Sequence, residues 1–127
     1  MIDHILLSAS NARITRSFYE KALSPLGYRV LQEIPLEYTG GVVVIGMGTP
    51  DKPDFWLTEG TPNKPPLHIA FSADSRAKVD AFHQAALEAG AKDNGAPGPR
   101  PEYHKDYYGA FVLDPDGHNI EACTHCQ

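Results

Sequence analysis

Three side chains in this sequence, His4, His68 and Glu121, are of the types that hold a divalent metal ion in an open catalytic site. Glu121 stands between Ile120 and Ala122, in an apolar segment near the C-terminus. A carboxylate in such a strand is costly to bury without a partner, and a metal ion is an efficient partner. Two imidazoles and one carboxylate leave coordination positions free for a substrate, as metal-assisted catalysis requires.

The two histidines are related by an internal repeat. Residues 4–26 align on residues 68–90 without a gap, so that His4 falls on His68, and identical pairs recur along the alignment, among them Ile5/Ile69, Ser8/Ser72, Phe18/Phe82 and Leu23/Leu87. Two copies with a histidine on the first strand can bring both imidazoles to one point if they pair about a pseudo-two-fold axis. Taken singly, each ligand has a plainer interpretation, as a hydrogen-bonded strand histidine or an outward glutamate on an edge strand.

Each copy has the pattern of a βαβββ unit. In the first copy, alternating residues predict a strand over Ile2–Ala9, followed by a helix that Asn11 caps and Gly27 ends. Ile5, Leu7 and Ala9 share the strand face expected to pack on the helix. The other strands predicted for this copy are Tyr28–Ile34, Val42–Met47 and Asp54–Thr58.

The second copy repeats this plan after a proline-rich linker, Glu59–Pro66. Its predicted elements are a strand Leu67–Ala73, a helix capped by Asp74 or Ser75 and stopped by Gly90, a weak strand Ala91–Asn94, a long loop or irregular edge Gly95–Tyr107, and a hairpin of Tyr108–Leu113 and His118–Cys123. We therefore expect an α+β fold in one domain, residues 1–127. It is built from module 1–60 and module 67–127, with a helix on the outside of each sheet.

The segment from Arg100 to Tyr108 is the second source of reactive groups. His104 has the chemistry of a general acid or base near neutral pH, and Tyr107 that of a donor to a developing oxyanion. Tyr103 and Tyr108 are candidate substrate contacts. The alternative is a surface loop stabilised by aromatic packing.

The remaining histidines and both cysteines are interpreted as structural. His83 lies in the second predicted helix, at the edge of the core, and His118 follows the turn before the last strand and is expected to be exposed. Cys123 belongs to the terminal strand, whereas His125 and Cys126 lie in a frayed tail.

Composition sets the class of protein. The chain has 127 residues, 42% of them hydrophobic, and a formal net charge of −5, which is typical of one globular domain and argues against a nucleic-acid-binding surface. The N-terminus lacks the basic region of a signal peptide, and no apolar run approaches the ~20 residues of a membrane span. We expect a cytoplasmic protein that binds a small molecule.

The chain resembles the vicinal oxygen chelate superfamily, which includes glyoxalase I, bleomycin-resistance proteins, fosfomycin-resistance enzymes and extradiol dioxygenases. The resemblance covers nearly the whole chain and rests on four segments, DHI at 3–5, RSFYEKALSPLGY at 16–28, HIAF at 68–71 and FVLDPDGHNIEAC at 111–123. It implies that the two modules curl a mixed sheet around a cleft with one divalent metal ion. The ligand positions of the family correspond here to His4, His68 and Glu121.

One ligand position departs from glyoxalase I, where the last strand of the first module supplies a fourth ligand. In this sequence the repeat places Leu57 there, or Trp56 after a slip of one residue, and neither side chain binds a metal. A set of two histidines and one carboxylate is the set that the fosfomycin-resistance and dioxygenase branches use. Trp56 would instead form a flat apolar wall for a substrate.

Three hypotheses follow from this resemblance. The leading one is a glyoxalase-like metalloenzyme, of the lyase or isomerase type, in which Zn, Ni, Mn or Fe chelates two neighbouring substrate oxygens and Glu121 joins His104 and Tyr107 in catalysis. The second is a metal-free protein that sequesters an aromatic compound, as bleomycin-resistance proteins do. The third is an Fe(II)-dependent dioxygenase. We expect a homodimer, although one chain contains both modules.

Overall fold

The computed structural model describes residues 1–127, which form two successive βαβββ modules. The first contains β1 (Ile5–Ala9), α1 (Ala12–Ala22), β2 (Arg29–Glu33), β3 (Val44–Thr49) and β4 (Lys52–Glu59). The second contains β5 (His68–Ser72), α2 (Arg76–Glu88), β6 (Lys92–Pro99), β7 (Tyr108–Leu113) and β8 (Asn119–Thr124). Short 3₁₀ turns at Ser24–Leu26 and Leu36–Tyr38 precede β2 and β3. Neither helix is long and apolar enough to cross a membrane.

Each module forms its own four-stranded mixed sheet. The strand orders are β1-β4-β3-β2 and β5-β8-β7-β6, with the first and last strand of each module parallel and the other pairs antiparallel. The repeat seen in the sequence is therefore a repeat of topology. The predicted α+β class and the two tandem βαβββ units are confirmed.

The helices begin where the sequence predicted. The Asn11 side chain accepts a hydrogen bond from the Ile14 N–H, 3.1 Å away, and Ser75 does the same for Lys78 at 3.2 Å, so Ser75 rather than Asp74 caps α2. Gly27 ends the first helical segment with a φ of +86°, a left-handed conformation that favours glycine. The α-helical part stops earlier than predicted, at Ala22.

The two modules share one hydrophobic core. Leu7 and Ala9 of β1 are buried in the same cluster as Phe71 of β5, and Phe71 packs edge-on against Phe55, with the ring centroids 5.2 Å apart. The helices α1 and α2 pack on this side of the sheets and contact each other. The residues that alternate with these core positions, which include His68, therefore lie on the sheet faces outside the core.

Of the two alternatives predicted for Gly95–Tyr107, a loop or an irregular edge, the edge is correct for the first part, because β6 extends to Pro99. β6 is an edge strand, so Pro97 and Pro99, which lack an N–H donor, cost no ladder hydrogen bond on its open side. Its pairing with β7 is interrupted on both sides of Gly95, which has a φ of +151°. The proline signal indicated an edge, not the absence of a strand.

The expectation that His118 is exposed is also wrong. The side chain is fully buried, and its Nδ1 accepts a hydrogen bond from the Leu67 N–H at 2.8 Å. The side chain folds back because the turn brings it beside the linker, where the Leu67 donor needs an acceptor. His83 is buried against Asp93 at 3.0 Å, as predicted for the core edge.

This contact gives a stability prediction. His118→Ala should lower the free energy of unfolding by about 2–4 kcal/mol, because it leaves the Leu67 N–H without an acceptor and opens a cavity. His118→Asn keeps a side-chain acceptor and should lose less than half as much. Urea denaturation followed by circular dichroism measures both variants, and equal losses would contradict the role of this hydrogen bond.

Candidate metal centre

The buried carboxylate of Glu121 is the centre of the site. Glu121 lies on β8 and is only 2% exposed. Its Oε1 is 2.9 Å from Nε2 of His68, and its Oε2 accepts a hydrogen bond from the Tyr107 hydroxyl. One imidazole and one carboxylate, both predicted as metal ligands, are therefore in direct contact.

The strand register explains this contact. β5 runs parallel to β8 with Ala70 opposite Glu121, and His68 lies two residues before Ala70 on the same face. Gly109 on β7 leaves room above the strand, since a Cβ there would lie 3.1 Å from Oε2 of Glu121 and 3.2 Å from Cε1 of Tyr107. A glycine at this position lets the carboxylate and the phenol meet.

Tyr107 is held as a protonated donor. Burial and its hydrogen bonds to Cys123 and Glu121 raise the pKa of the Tyr107 phenol well above its ordinary value. Burial likewise raises the pKa of the Cys123 thiol, whereas the hydrogen bond from Tyr107 acts in the opposite direction. At neutral pH this part of the site therefore offers a hydroxyl hydrogen and a neutral thiol beside one carboxylate.

His4 is not brought to this pair within one chain. It precedes β1, and its Nδ1 lies 2.7 Å from Oδ1 of Asp3, whose other oxygen pairs with Lys52. The side chain of His4 is 55% exposed and that of His68 is 54% exposed. No group of three His, Cys, Asp or Glu side chains is placed to share one ion. The three predicted ligands thus form a pair and a separate histidine.

Trp56 occupies the position in the first module that Glu121 occupies in the second. It lies opposite Leu6 on β1, as Glu121 lies opposite Ala70 on β5, and Leu6 and Ala70 are equivalent in the repeat. The slip of one residue in the repeat is therefore real. The indole lies flat over Gly46, where an added Cβ would be 2.8 Å from Cη2. On this face of the first module Trp56 lies beside the strand that carries Leu6, which is 54% exposed.

The loop residues divide between the two faces of the sheet. Tyr103 packs edge-on against Tyr107 with the centroids 5.3 Å apart, although it is 62% exposed. Tyr108 points to the helix side, where its hydroxyl donates to Asp80 at 2.6 Å and the Arg76 guanidinium covers its ring. The structure does not bring Tyr108 to Glu121, because neighbouring strand residues alternate between faces.

The sequence analysis missed the C-terminal tail. The His125 ring lies 5.2 Å from that of His104 and 5.1 Å from that of Tyr107, and Nε2 of Gln127 donates to Asp106 at 2.7 Å. The tail therefore packs on the loop that presents Tyr107 to Glu121. A short polar segment at a chain end carries no periodic pattern. The only indication of this contact in the sequence was the aromatic ring of His125.

Comparisons with known proteins agree with the fold of two βαβββ modules. Residues 1–122 match the family model described as the Glyoxalase/Bleomycin resistance protein/Dioxygenase superfamily. The search of curated proteins found no significant match.

Among solved structures, similar chains include a glyoxalase/bleomycin resistance protein from Albidiferax ferrireducens T118, with 23% identity, 96% of each chain covered and a TM-score of 0.70. A glyoxylase/bleomycin resistance protein/dioxygenase domain from Frankia sp. EAN1pec has 18% identity, coverage of 98% of this chain and 96% of that chain, and a TM-score of 0.74. A mutant of glyoxalase I from Zea mays has 21% identity and a TM-score of 0.74, with 96% of this chain covered but 46% of that one. At these identities the likeness establishes the fold alone.

The contact between tail and loop gives a second prediction. In a Cys126→Ser background, His125→Ala should raise the rate at which Cys123 reacts with a thiol reagent by about fivefold, because loss of an aromatic contact worth ~1 kcal/mol favours local opening. Lys105→Ala, an exposed change in the same loop, is the matched control and should leave the rate unchanged. Equal rates in both variants would mean that the tail does not hold the loop.

Proposed function

Because the chain belongs to the glyoxalase/bleomycin resistance protein/dioxygenase superfamily, we propose that it is a metalloenzyme acting on a small molecule with two neighbouring oxygen atoms. His4, His68 and Glu121 would hold the divalent ion, with Zn, Ni, Mn and Fe all compatible with these donors. The observation that carries the proposal is the Glu121 carboxylate, buried to 2% exposure in contact with His68.

The energetics of Glu121 favour a cation at this position. Its nearest partners are a neutral phenol and the imidazole of His68, and neither carries a permanent positive charge. Removing one charge from water costs several kcal/mol unless it is compensated. A divalent ion compensates this charge and also uses the exposed imidazole, so the donor set fits the metal that the family implies.

The site is proposed to be completed by a second copy of the chain. The histidine-bearing faces of both sheets lie outside the shared core, and Leu6 and Trp56 leave apolar surface on one of them. In a two-fold dimer, His4 of one protomer would meet His68 and Glu121 of the partner, giving two equivalent sites. Such pairing would also cover the exposed Leu6 side chain of the first module.

The roles of the remaining residues follow from their protonation. When bound, a divalent ion polarises substrate oxygens and stabilises negative charge on them. Tyr107 keeps its proton and donates a hydrogen bond to Glu121, which orients this carboxylate. His104 is exposed at the edge of this loop, its Nδ1 accepting from the Asp106 N–H at 3.3 Å, and would exchange protons with solvent or substrate.

A second candidate function is supported by Trp56. The indole lies flat over Gly46 beside exposed Leu6, which makes a surface suited to a planar aromatic compound. A metal-free protein that sequesters such a compound would use this wall and would not need the contact between His68 and Glu121. Metal content therefore separates the two functions.

The first test is metal content. His4→Ala, His68→Ala and Glu121→Ala should each remove most of the metal from protein purified without chelators, because a site with two protein ligands binds far more weakly. His83→Gln, which alters a histidine on the helix side, is the control and should retain the metal of the unmodified protein. Elemental analysis gives the content, and stoichiometric metal in all three variants would refute the ligand set.

The second test asks whether the site is shared between protomers. A heterodimer of a His4→Ala chain with a Glu121→Ala chain, isolated through two affinity tags, should keep about one ion per dimer, because one of its two shared sites is intact. If each chain built its own site, both sites of this heterodimer would lack a ligand, and it should hold no ion.

A second heterodimer, with both substitutions on one chain, reverses the expected result. A His4→Ala/Glu121→Ala chain paired with an unmodified chain should hold no ion if sites are shared, and about one if each chain builds its own. Equal metal in the two heterodimers would contradict both arrangements.

A further inference from the structure

A cavity lies in the first module, away from Glu121. It has a volume of about 410 Å³ and opens between α1 and the place where β2 ends and β3 begins. Its lining is mainly apolar and includes Ile34, Leu36, Val43 and Ile45. Ile45 belongs to the hydrophobic core, so the cavity lies on the helix side of the sheet. Ligand cavities commonly have volumes of about 300–1,000 Å³.

Two arginines of α1 line this cavity, and they differ in their partners. Arg16 is paired with Glu20, 3.2 Å from Nε, and with Glu33. Arg13 makes no hydrogen bond and no ion pair, although the protein as a whole has a net charge of −5. Among the charged side chains that line the cavity, Arg13 is therefore the one without a partner.

We propose that this cavity binds a small organic anion with an apolar body, whose carboxylate pairs with Arg13. The apolar lining takes the body of the ligand out of water, and the planar guanidinium matches a carboxylate with two parallel hydrogen bonds. An uncharged apolar molecule would leave Arg13 without a partner, and a short anion such as acetate would leave the lining exposed. Both parts of the ligand are therefore required.

The cavity is separate from the proposed metal centre. Its lining comes entirely from the first module and includes none of His4, His68 and Glu121. Leu36, one of the apolar side chains that line the cavity, is 54% exposed. A ligand in the cavity would shield part of this apolar surface from water.

Octanoate is the probe for this site, with octanamide as the uncharged counterpart and acetate as the short one. Isothermal titration calorimetry should give one octanoate site per chain, and octanamide and acetate should each bind at least about tenfold more weakly. Amide chemical-shift changes should be confined to Ile34, Leu36, residues 43–45 and the first turn of α1. Binding of octanamide as tight as that of octanoate would overturn the proposal.

The matched variants each change one arginine that lacks an ion pair. Arg13→Gln should weaken octanoate about tenfold, whereas Arg29→Gln, at the opposite end of β2 beside Gly48, should leave it unchanged. Leu36→Asp, an exposed change, should also weaken binding, and Glu121→Ala should not. Unchanged affinity for octanoate in Arg13→Gln would overturn the proposal. Dissociation of a dimer by Leu36→Asp would also overturn it, since the cavity would then be a contact between copies of the chain.

Discussion

The core that the two modules share is the constraint on which the rest of the structure depends. Each sheet has one face that packs on a helix, and Leu7 and Phe71 lie at equivalent places on those faces. Because side chains alternate along a strand, burying these residues turns the residues beside them to the outside. The exposure of His68 and of Leu6 is a direct consequence of where the core lies.

A polar network fixes the junction between the modules. The buried Asp114 carboxylate accepts from the Tyr19 hydroxyl of α1 at 2.5 Å and from the N–H groups of Asp116 and His118 at 3.0 and 2.9 Å. The raised pKa of Tyr19, caused by burial and by this carboxylate, keeps the phenol a donor. The turn before β8, and with it the start of the strand that carries Glu121, is thus tied to the helix of the other module.

The repeat explains why the two modules differ in chemistry. Equivalent ladder positions hold Trp56 in the first module and Glu121 in the second, and each has a glycine on the neighbouring strand that makes room for it, Gly46 and Gly109. One module therefore presents a flat apolar wall and the other a buried carboxylate. A cleft made from one face of each kind would combine an apolar surface with a metal site.

The sequence alone determined the repeat and the order of the elements, though not the full length of β6, because alternation, helix caps such as Asn11 and the glycine turns act over a few residues. It also indicated Glu121, since a carboxylate in an apolar strand needs a partner. Only the tertiary structure decided three other features: the burial of His118, the contact of His125 with Tyr107, and the separation of His4 from Glu121. These features depend on how distant segments pack around the shared core, and no local pattern records that packing.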